Sequence, residues 1–292
     1  MTSKGENAQR QLLLYPTDNN VTVELSWHAL TNVGLRRESN QDSYVVAPPI
    51  FAVADGVGGH AGGEVASQAV TARLAEIAGD KPVSVSDLVG ALDRAVDDIE
   101  KQAGAVAEGA GTTVTGLVLG ADPETPSWTV FNIGDSRVYQ YFKGSLVQIT
   151  RDHSVVQHLV DTGAISDEDA EVHPHANMLT RAVGMNEDPV PDSFELALIA
   201  GQRLLICSDG LTKELTDLGI QHFLAESATA QLAAETLMQQ ALDNAGRDNI
   251  TLIVVDVHAV GDVRDTSDIR MLDAAAAAKI CDAASAADDE LL

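Results

Sequence analysis

Basic residues are scarce in this chain: 18 Lys and Arg stand against 44 Asp and Glu, a formal net charge of −26 over 292 residues. A field of that sign repels nucleic-acid phosphates and anionic lipid headgroups. Neither nucleic acid nor a membrane surface is therefore expected as a partner, whereas divalent cations and basic peptide segments are attracted. Cysteine is nearly absent: Cys207 sits in the apolar run 204–207 and Cys281 in an Ala-rich stretch. Two such residues make neither a disulfide framework nor a zinc–cysteine motif. No apolar run reaches the roughly 20 residues of a membrane span, and the first residues lack the basic-then-apolar pattern of a secretory signal. A cytoplasmic location is the simplest expectation. Aromatic residues make up only 4% of the chain, so the core has to rest on Val, Leu, Ile and Ala.

Regular βαβ alternation is lacking as well. Val21, Val23, Leu25 and Trp27 alternate as on a half-buried strand. Further strands are expected at 43–47 and 50–54 across Pro48-Pro49, at 113–119 and 128–133, in a hairpin 137–142/146–149 around Lys143-Gly144, and at 194–199, 203–207 and 250–257. Helical spacing puts Ala66, Val70, Leu74 and Ile77 on one face, and Leu88, Leu92, Ala95 and Ile99 on another, with Ser86 as N-cap. A third helix, from about Thr229 to Asn244, buries Ala234, Leu237, Met238 and Ala241. This order favours an α+β fold layered on antiparallel sheets over a doubly wound parallel sheet. Residues 1 to about 20 are polar without periodicity, and 259–292 turn to Ala and Asp, with consecutive alanines at 274–278.

Several aspartates stand where strands end. Asp55, Asp135 and Asp209 each close an apolar run, and Asp42 and Asp248 each precede one. A single Asp-Gly pair is more often a turn than a ligand. A set of strand-end carboxylates can instead converge at one sheet edge, where they repel one another unless a hard cation such as Mg²⁺ or Mn²⁺ joins them. Gly56 to Gly63 lacks the Gly-Lys-Ser/Thr of a nucleotide cradle. His153, His158, His173 and His175 match no zinc helix motif.

In order along the chain stand Arg37-Glu38-Ser39-Asn40-Gln41-Asp42, Ala54-Asp55-Gly56-Val57-Gly58-Gly59-His60-Ala61-Gly62-Gly63-Glu64, Gly111-Thr112-Thr113, Asn132-Ile133-Gly134-Asp135-Ser136-Arg137, Arg151-Asp152-His153-Ser154, Leu179-Thr180-Arg181-Ala182-Val183-Gly184, Cys207-Ser208-Asp209-Gly210-Leu211-Thr212 and Gly246-Arg247-Asp248-Asn249-Ile250-Thr251. This ordered set, over about 28–257, resembles the protein phosphatase 2C family, the metal-dependent Ser/Thr phosphatases, in its bacterial form. The resemblance implies a four-layer αββα sandwich, two antiparallel β-sheets flanked by helices, with a metal cleft at one end. It divides the chain into an extension at 1–27, a catalytic domain at 28–258 with a flap at about 153–178, and an acidic tail at 259–292.

It also implies roles. Asp55 bridges two divalent cations, Mn²⁺ or Mg²⁺, and the Gly56 carbonyl ligates one. Asp209 and Asp248 complete the first cation's shell, Asp42 holds its waters beside Gln41, and Arg37 binds the substrate phosphate. A water between the cations attacks phosphorus in line, with no phosphoenzyme. The partners implied are phosphorylated proteins, among them a Ser/Thr kinase and its substrates. The chain departs from the family in three ways, the first being Gln41 where many members, though not all bacterial ones, carry an acidic residue. Val57 stands where eukaryotic members have a histidine proposed as general acid, which leaves His60 as the candidate. Lys213 stands where a carboxylate commonly joins the Asp135 position at a weak third metal. A cation beside Asp135 and Asp209 is expected to weaken that third site or to replace its charge. The alternative reading is a non-catalytic or weakly active pseudophosphatase that only binds phosphoproteins; loss of the metal aspartates would mark it, and Asp42, Asp55, Asp209 and Asp248 are present.

Overall fold

The computed structural model describes residues 3–14, 21–58, 62–79, 83–103, 109–120, 126–185 and 188–262. Its elements in chain order are β1 (Ser3–Lys4), β2 (Ala8–Leu14), β3 (Val21–Asn32), β4 (Ser43–Ala47), β5 (Ile50–Ala54), β6 (Gly56–Val57), α1 (Gly62–Ile77), α2 (Val85–Ala103), β7 (Gly111–Thr112), β8 (Val114–Leu119), β9 (Ser127–Ile133), β10 (Arg137–Phe142), β11 (Ser145–Gln148), α3 (Val155–Asp161), α4 (Asp167–Glu171), β12 (Asp192–Ala197), β13 (Arg203–Cys207), α5 (Asp209–Thr212), α6 (Asp217–Glu226), α7 (Ala230–Asn244) and β14 (Ile250–Asp262). They form two six-stranded sheets, ordered β1-β4-β5-β8-β9-β12 and β11-β10-β13-β14-β3-β2, and a small β6-β7 ladder. Pairing is antiparallel except where the two-residue β1 runs parallel to β4.

Successive strand residues point to opposite faces, and this parity builds the four layers. From β5, Ile50, Ala52 and Ala54 meet Ala66, Val70, Leu74, Leu88 and Leu92 of α1 and α2. Phe51 and Val53 face the other way, into the space between the sheets, with Trp27, Trp128, Leu204, Ile206 and Val255. On the second sheet Leu205, Cys207, Leu252 and Val254 pack under α6 and α7 through Ile220, Leu224, Leu237 and Ala241. Three of the few aromatics meet between the sheets: Phe51 makes edge contacts with Trp27 at 5.2 Å and Trp128 at 6.2 Å between ring centroids, the geometry aromatic pairs prefer.

Some expectations change. The caps of α2 come from Ser84 rather than Ser86: Ser84 Oγ accepts from Asp87 N–H at 3.2 Å, and the Asp87 carboxylate accepts from Ser84 N–H at 2.8 Å. Helices α5 and α6 fill a stretch left unassigned by periodicity. The boundaries at 27/28 and 258/259 fall inside strands. β3 and β14 pair from Asn32↔Ile250 out to Val21↔Asp262, with a register shift at His258, because Val23, Leu25 and Val257 are core residues on the inter-sheet face. The rest of the expected tail, from 263, lies outside the described residues. Among the described residues no helix is long and apolar enough to cross a membrane.

Candidate metal centre

One end of the sandwich opens into a cleft of about 190 Å³. Its carboxylates come from both sheets. Asp55 follows β5 and Asp135 follows β9 in the first sheet; Asp209 follows β13 and Asp248 precedes β14 in the second. All four line the cleft, together with Gly56, Gln41 and Arg37. Asp42 lies behind this wall, 6% exposed, where its Oδ2 accepts from Ser208 Oγ at 2.9 Å. His60, the candidate general acid, lies outside the described residues.

The loops that carry these groups are tied down by hydrogen bonds. Asp55 N–H donates to Thr113 Oγ1 at 3.0 Å, Thr113 N–H and Thr112 Oγ1–H both donate to Asp55 O at 2.9 Å, and Thr113 Oγ1 meets Ser136 Oγ at 2.8 Å. This gives Gly111-Thr112-Thr113 a physical part: it locks the Asp55 turn to the Asp135 turn. Gly134 sits at φ +111 with its α-carbon against Thr113, where a Cβ would come within 2.6 Å of that side chain. Its N–H donates to His153 Nδ1 at 3.2 Å, and His153 Nε2 lies 3.1 Å from Asp192 Oδ2. His153 thus braces the Asp135 turn and has left the group of histidines that could have suggested zinc. Beyond it come α3 and α4, and the irregular segment that follows them, bridged to Ser154 through Leu179, brings Asn177 and Leu179 to the cleft.

Sequence reasoning gave Asn249 no role, yet it organises the opposite rim. Its Oδ1 accepts from Gln41 N–H and its Nδ2 donates to Val33 O and Ser39 O, each at 2.9 Å. One amide therefore clamps the loop that carries Arg37 and Gln41 onto the start of β14. No spacing signal could have found it, since its partners lie more than 200 residues away. Arg37 is at the rim with its side chain 52% exposed; its guanidinium pairs with Asp248 through Nε at 2.8 Å and Nη2 at 3.0 Å. Lys213 stands beside Asp209 and has a further partner that the sequence did not assign: its Nζ bridges Asp209 Oδ2 at 2.5 Å and Asp248 Oδ2 at 2.9 Å, and its charge also acts on Asp135. The single turn of α5 folds the side chain back over Asp209, four residues earlier, and the following loop delivers Asp248 to its other side.

The electrostatics are those of crowded anions. Burial, then the charges of Asp42, Asp209 and Asp135, push Asp55 well above the usual carboxylate range. Burial, then Asp209 and Asp152, push Asp135 up to about 8. Burial raises Asp42 to about 6 despite the hydroxyls of Thr251 and Ser208. Burial would raise Asp248 too, but the Lys213 charge and the bonds from Lys213, Arg37 and Asn249 N–H outweigh it and hold it low. Asp42 Oδ1 and Asp209 Oδ1 are buried with no hydrogen-bond partner, a costly state for such oxygens. Among the described residues no three His, Cys, Asp or Glu side chains close into a ligand cage. Small hard cations do not need one, because they bind through one or two carboxylates and keep several waters. An all-oxygen set with orphaned, mutually repelling carboxylates fits such ions.

A pH prediction follows for the metal-free protein. Asp55, Asp135 and Asp42 keep protons in the fold that they would lose near pH 4 when unfolded. Between about pH 4 and about pH 8 the native state binds more protons, so stability falls as pH rises. With chelator present, the melting temperature is expected to drop from about pH 5 to about pH 8, and added Mn²⁺ to displace protons, read as a buffer-dependent heat. A flat profile without proton release would contradict this charge crowding.

Comparison with known proteins places these features. The family model described as Protein phosphatase 2C matches residues 36–245. The serine/threonine protein phosphatase PstP of Mycobacterium tuberculosis is 39% identical over 244 residues, which span 81% of this chain and 46% of that protein. The chain thus spans about half the length of that relative. The serine/threonine phosphatase stp of Listeria innocua is 31% identical over 250 residues, 81% of this chain and 98% of that protein. Among solved structures, the catalytic domain of PstP in complex with two manganese ions is similar with a TM-score of 0.72 and 36% identity, over 82% of this chain and 100% of that domain.

Proposed function

The chain belongs to the protein phosphatase 2C family, and from that membership we propose that it hydrolyses phosphoserine and phosphothreonine in proteins with the help of Mn²⁺ or Mg²⁺. The observation that carries the proposal is the cleft where buried carboxylates of both sheets face one another with an orphaned Asp209 Oδ1. Asp55, the Gly56 carbonyl, Asp209 and Asp248 would hold two cations, with Asp42 behind them to orient water and Asp135 at the edge of a weaker third position. Cations there make water a competent nucleophile near neutral pH and neutralise charge on the phosphate oxygens.

The chain's own groups position the ester. The Arg37 guanidinium stands at the cleft mouth, and its planar fork suits two phosphate oxygens at once. The Asn249 amide keeps the Arg37 loop in register with Asp248. The His153 brace and the Thr113 hydroxyl hold the Asp135 and Asp55 turns, so the acidic wall does not reorganise when a charged ester arrives. The net charge of −26 favours phosphosites with basic neighbours. The partners proposed are cytoplasmic phosphoproteins, including a Ser/Thr kinase and its substrates.

The test is turnover of an aryl phosphate and of phosphoserine and phosphothreonine peptides with Mn²⁺, with Mg²⁺ and with chelator. Metal-dependent phosphate release is expected; release that chelator leaves unchanged would overturn the reading. A second reading is favoured by the Lys213 bridge, which neutralises Asp209 and Asp248 without metal. In it the chain binds phosphoproteins without hydrolysis, and the same assay would show peptide binding but no phosphate release.

Arg37→Ala separates binding from chemistry. Loss of a charged hydrogen-bond pair, about 1.5–3 kcal/mol, is expected to lower kcat/KM for phosphopeptides roughly 10- to 100-fold, mostly through KM. An unchanged kcat/KM would make Arg37 a solvated surface charge.

A further inference from the structure

The Lys213 ammonium is held where a cation is wanted. Its backbone N–H donates to Asp209 O at 2.8 Å, so the residue stands one helical turn past Asp209. Its carbonyl accepts from Arg247 Nη2 at 2.8 Å, next to Asp248. Arg247 is fixed in turn by Glu214, whose Oε1 accepts from Arg247 N–H at 2.8 Å and from its Nε at 3.0 Å; the Glu214 side chain is only 2% exposed. This platform joins α5 to the loop before β14, so the Lys213 stem is not free to choose another direction at its root. From it Nζ reaches both second-sheet carboxylates.

We propose that Lys213 is a built-in counter-ion of the metal centre, occupying the Asp209–Asp248 pair when metal is absent and being displaced when a divalent cation binds. The proposal rests on the metal-site reading above and adds a property to it. The protein stays folded when stripped of metal, and its activity becomes gated by divalent-ion concentration because each cation has to evict an ammonium. Displacement is feasible because the stem is flexible and the side chain is 30% exposed, so the ammonium can swing from the carboxylates into water. Two cations sharing the same carboxylate oxygens repel each other strongly at such distances, so ammonium and metal ion are alternatives at this pair.

The experiment compares the wild type with Lys213→Gln, which keeps a hydrogen-bond donor but no charge, and Lys213→Met, which keeps only the stem. Mn²⁺ affinity is read by calorimetry and melting temperature with chelator and with saturating Mn²⁺. Both variants are expected to bind Mn²⁺ at least tenfold more tightly than wild type. With chelator they are expected to melt several degrees lower, and saturating Mn²⁺ is expected to raise their melting temperature by more than it raises that of the wild type. Should Lys213→Met not fold without metal, Lys213→Gln carries the affinity comparison. Equal or weaker Mn²⁺ binding by the variants would overturn the inference while leaving the metal site in place. Failure of every protein, wild type included, to bind Mn²⁺ would overturn the metal-site reading itself and the inference with it.

Discussion

Asp55→Asn and Asp209→Asn are each expected to lose about a hundredfold or more in turnover at saturating Mn²⁺, the scale of removing a principal charge stabiliser. Asparagine keeps the shape of aspartate, so the fold has little reason to change. What disappears is one of the four carboxylates that line the cleft. The two variants should differ in stability. Asp55 carries a large burial penalty and faces Asp42, Asp209 and Asp135, with the charges of Lys213 and Arg37 acting the other way. Asparagine is neutral without having to take up a proton on folding, so Asp55→Asn is expected to melt higher than wild type in chelator at neutral pH while it loses activity. Asp209 is directly paired with Lys213, so Asp209→Asn gives up an ion pair and should gain less or nothing. Near-normal kcat in either variant would remove that residue from the metal centre.

Gly210→Ala is expected to cost about 3 kcal/mol or more of stability and most of the activity, although the substitution adds a single methyl group. A Cβ at Gly210 would lie 1.9 Å from Asn249 O and 2.9 Å from Asn249 C. Those are backbone atoms, so no rotamer change relieves the clash; α5 and the start of β14 have to separate. Separation moves Asp209, on one side, and Asn249 with its hold on Gln41, Val33 and Ser39, on the other. Gly219→Ala is the control: it lies in α6, and its nearest atom would be Thr216 Oγ1 at 3.6 Å. There alanine is expected to be neutral or to stabilise by up to about 1 kcal/mol. Urea unfolding of the two variants checks the contrast, and an equal effect at both sites would refute the close-approach argument.

The contrast also marks what a single sequence makes legible. A strand bounded by aspartate is visible because an apolar run stops or starts at a charge, and Asp55, Asp135 and Asp209, which follow strands, and Asp248, which precedes one, all reach the cleft. The helices α1, α2 and α7 carry their apolar positions at helical spacing over several turns. By comparison α5 has four residues, too few for any period. The last turn of β14 follows a bulge at His258, whose Nε2 meets Ser26 Oγ at 2.8 Å, and a bulge breaks the alternation by which a strand is read. Ser86 is a plausible cap in sequence, and only the reciprocal bonds between Ser84 and Asp87 move the cap two residues earlier. Lys213 could be read as out of place for its family, but not assigned its second partner, because Asp248 arrives from 35 residues away.

The longest ladder among the described residues, between β3 and β14, joins one of the first described strands to the last of them; Thr31 and Thr251, whose hydroxyls meet at 2.7 Å, are 220 residues apart. On a ribosome making about 5–20 residues per second, that interval lasts roughly 10–45 s. Throughout it, β3 has been synthesised but its principal neighbour has not. The first sheet draws β4, β5, β8, β9 and β12 from residues 43–197 and can assemble meanwhile, with Val23, Leu25 and Trp27 still waiting for a continuous partner surface. A nascent chain of this design therefore carries β3 with β2 on one edge and its other edge open for most of its synthesis, and chaperone demand should fall once β14 clears the exit tunnel.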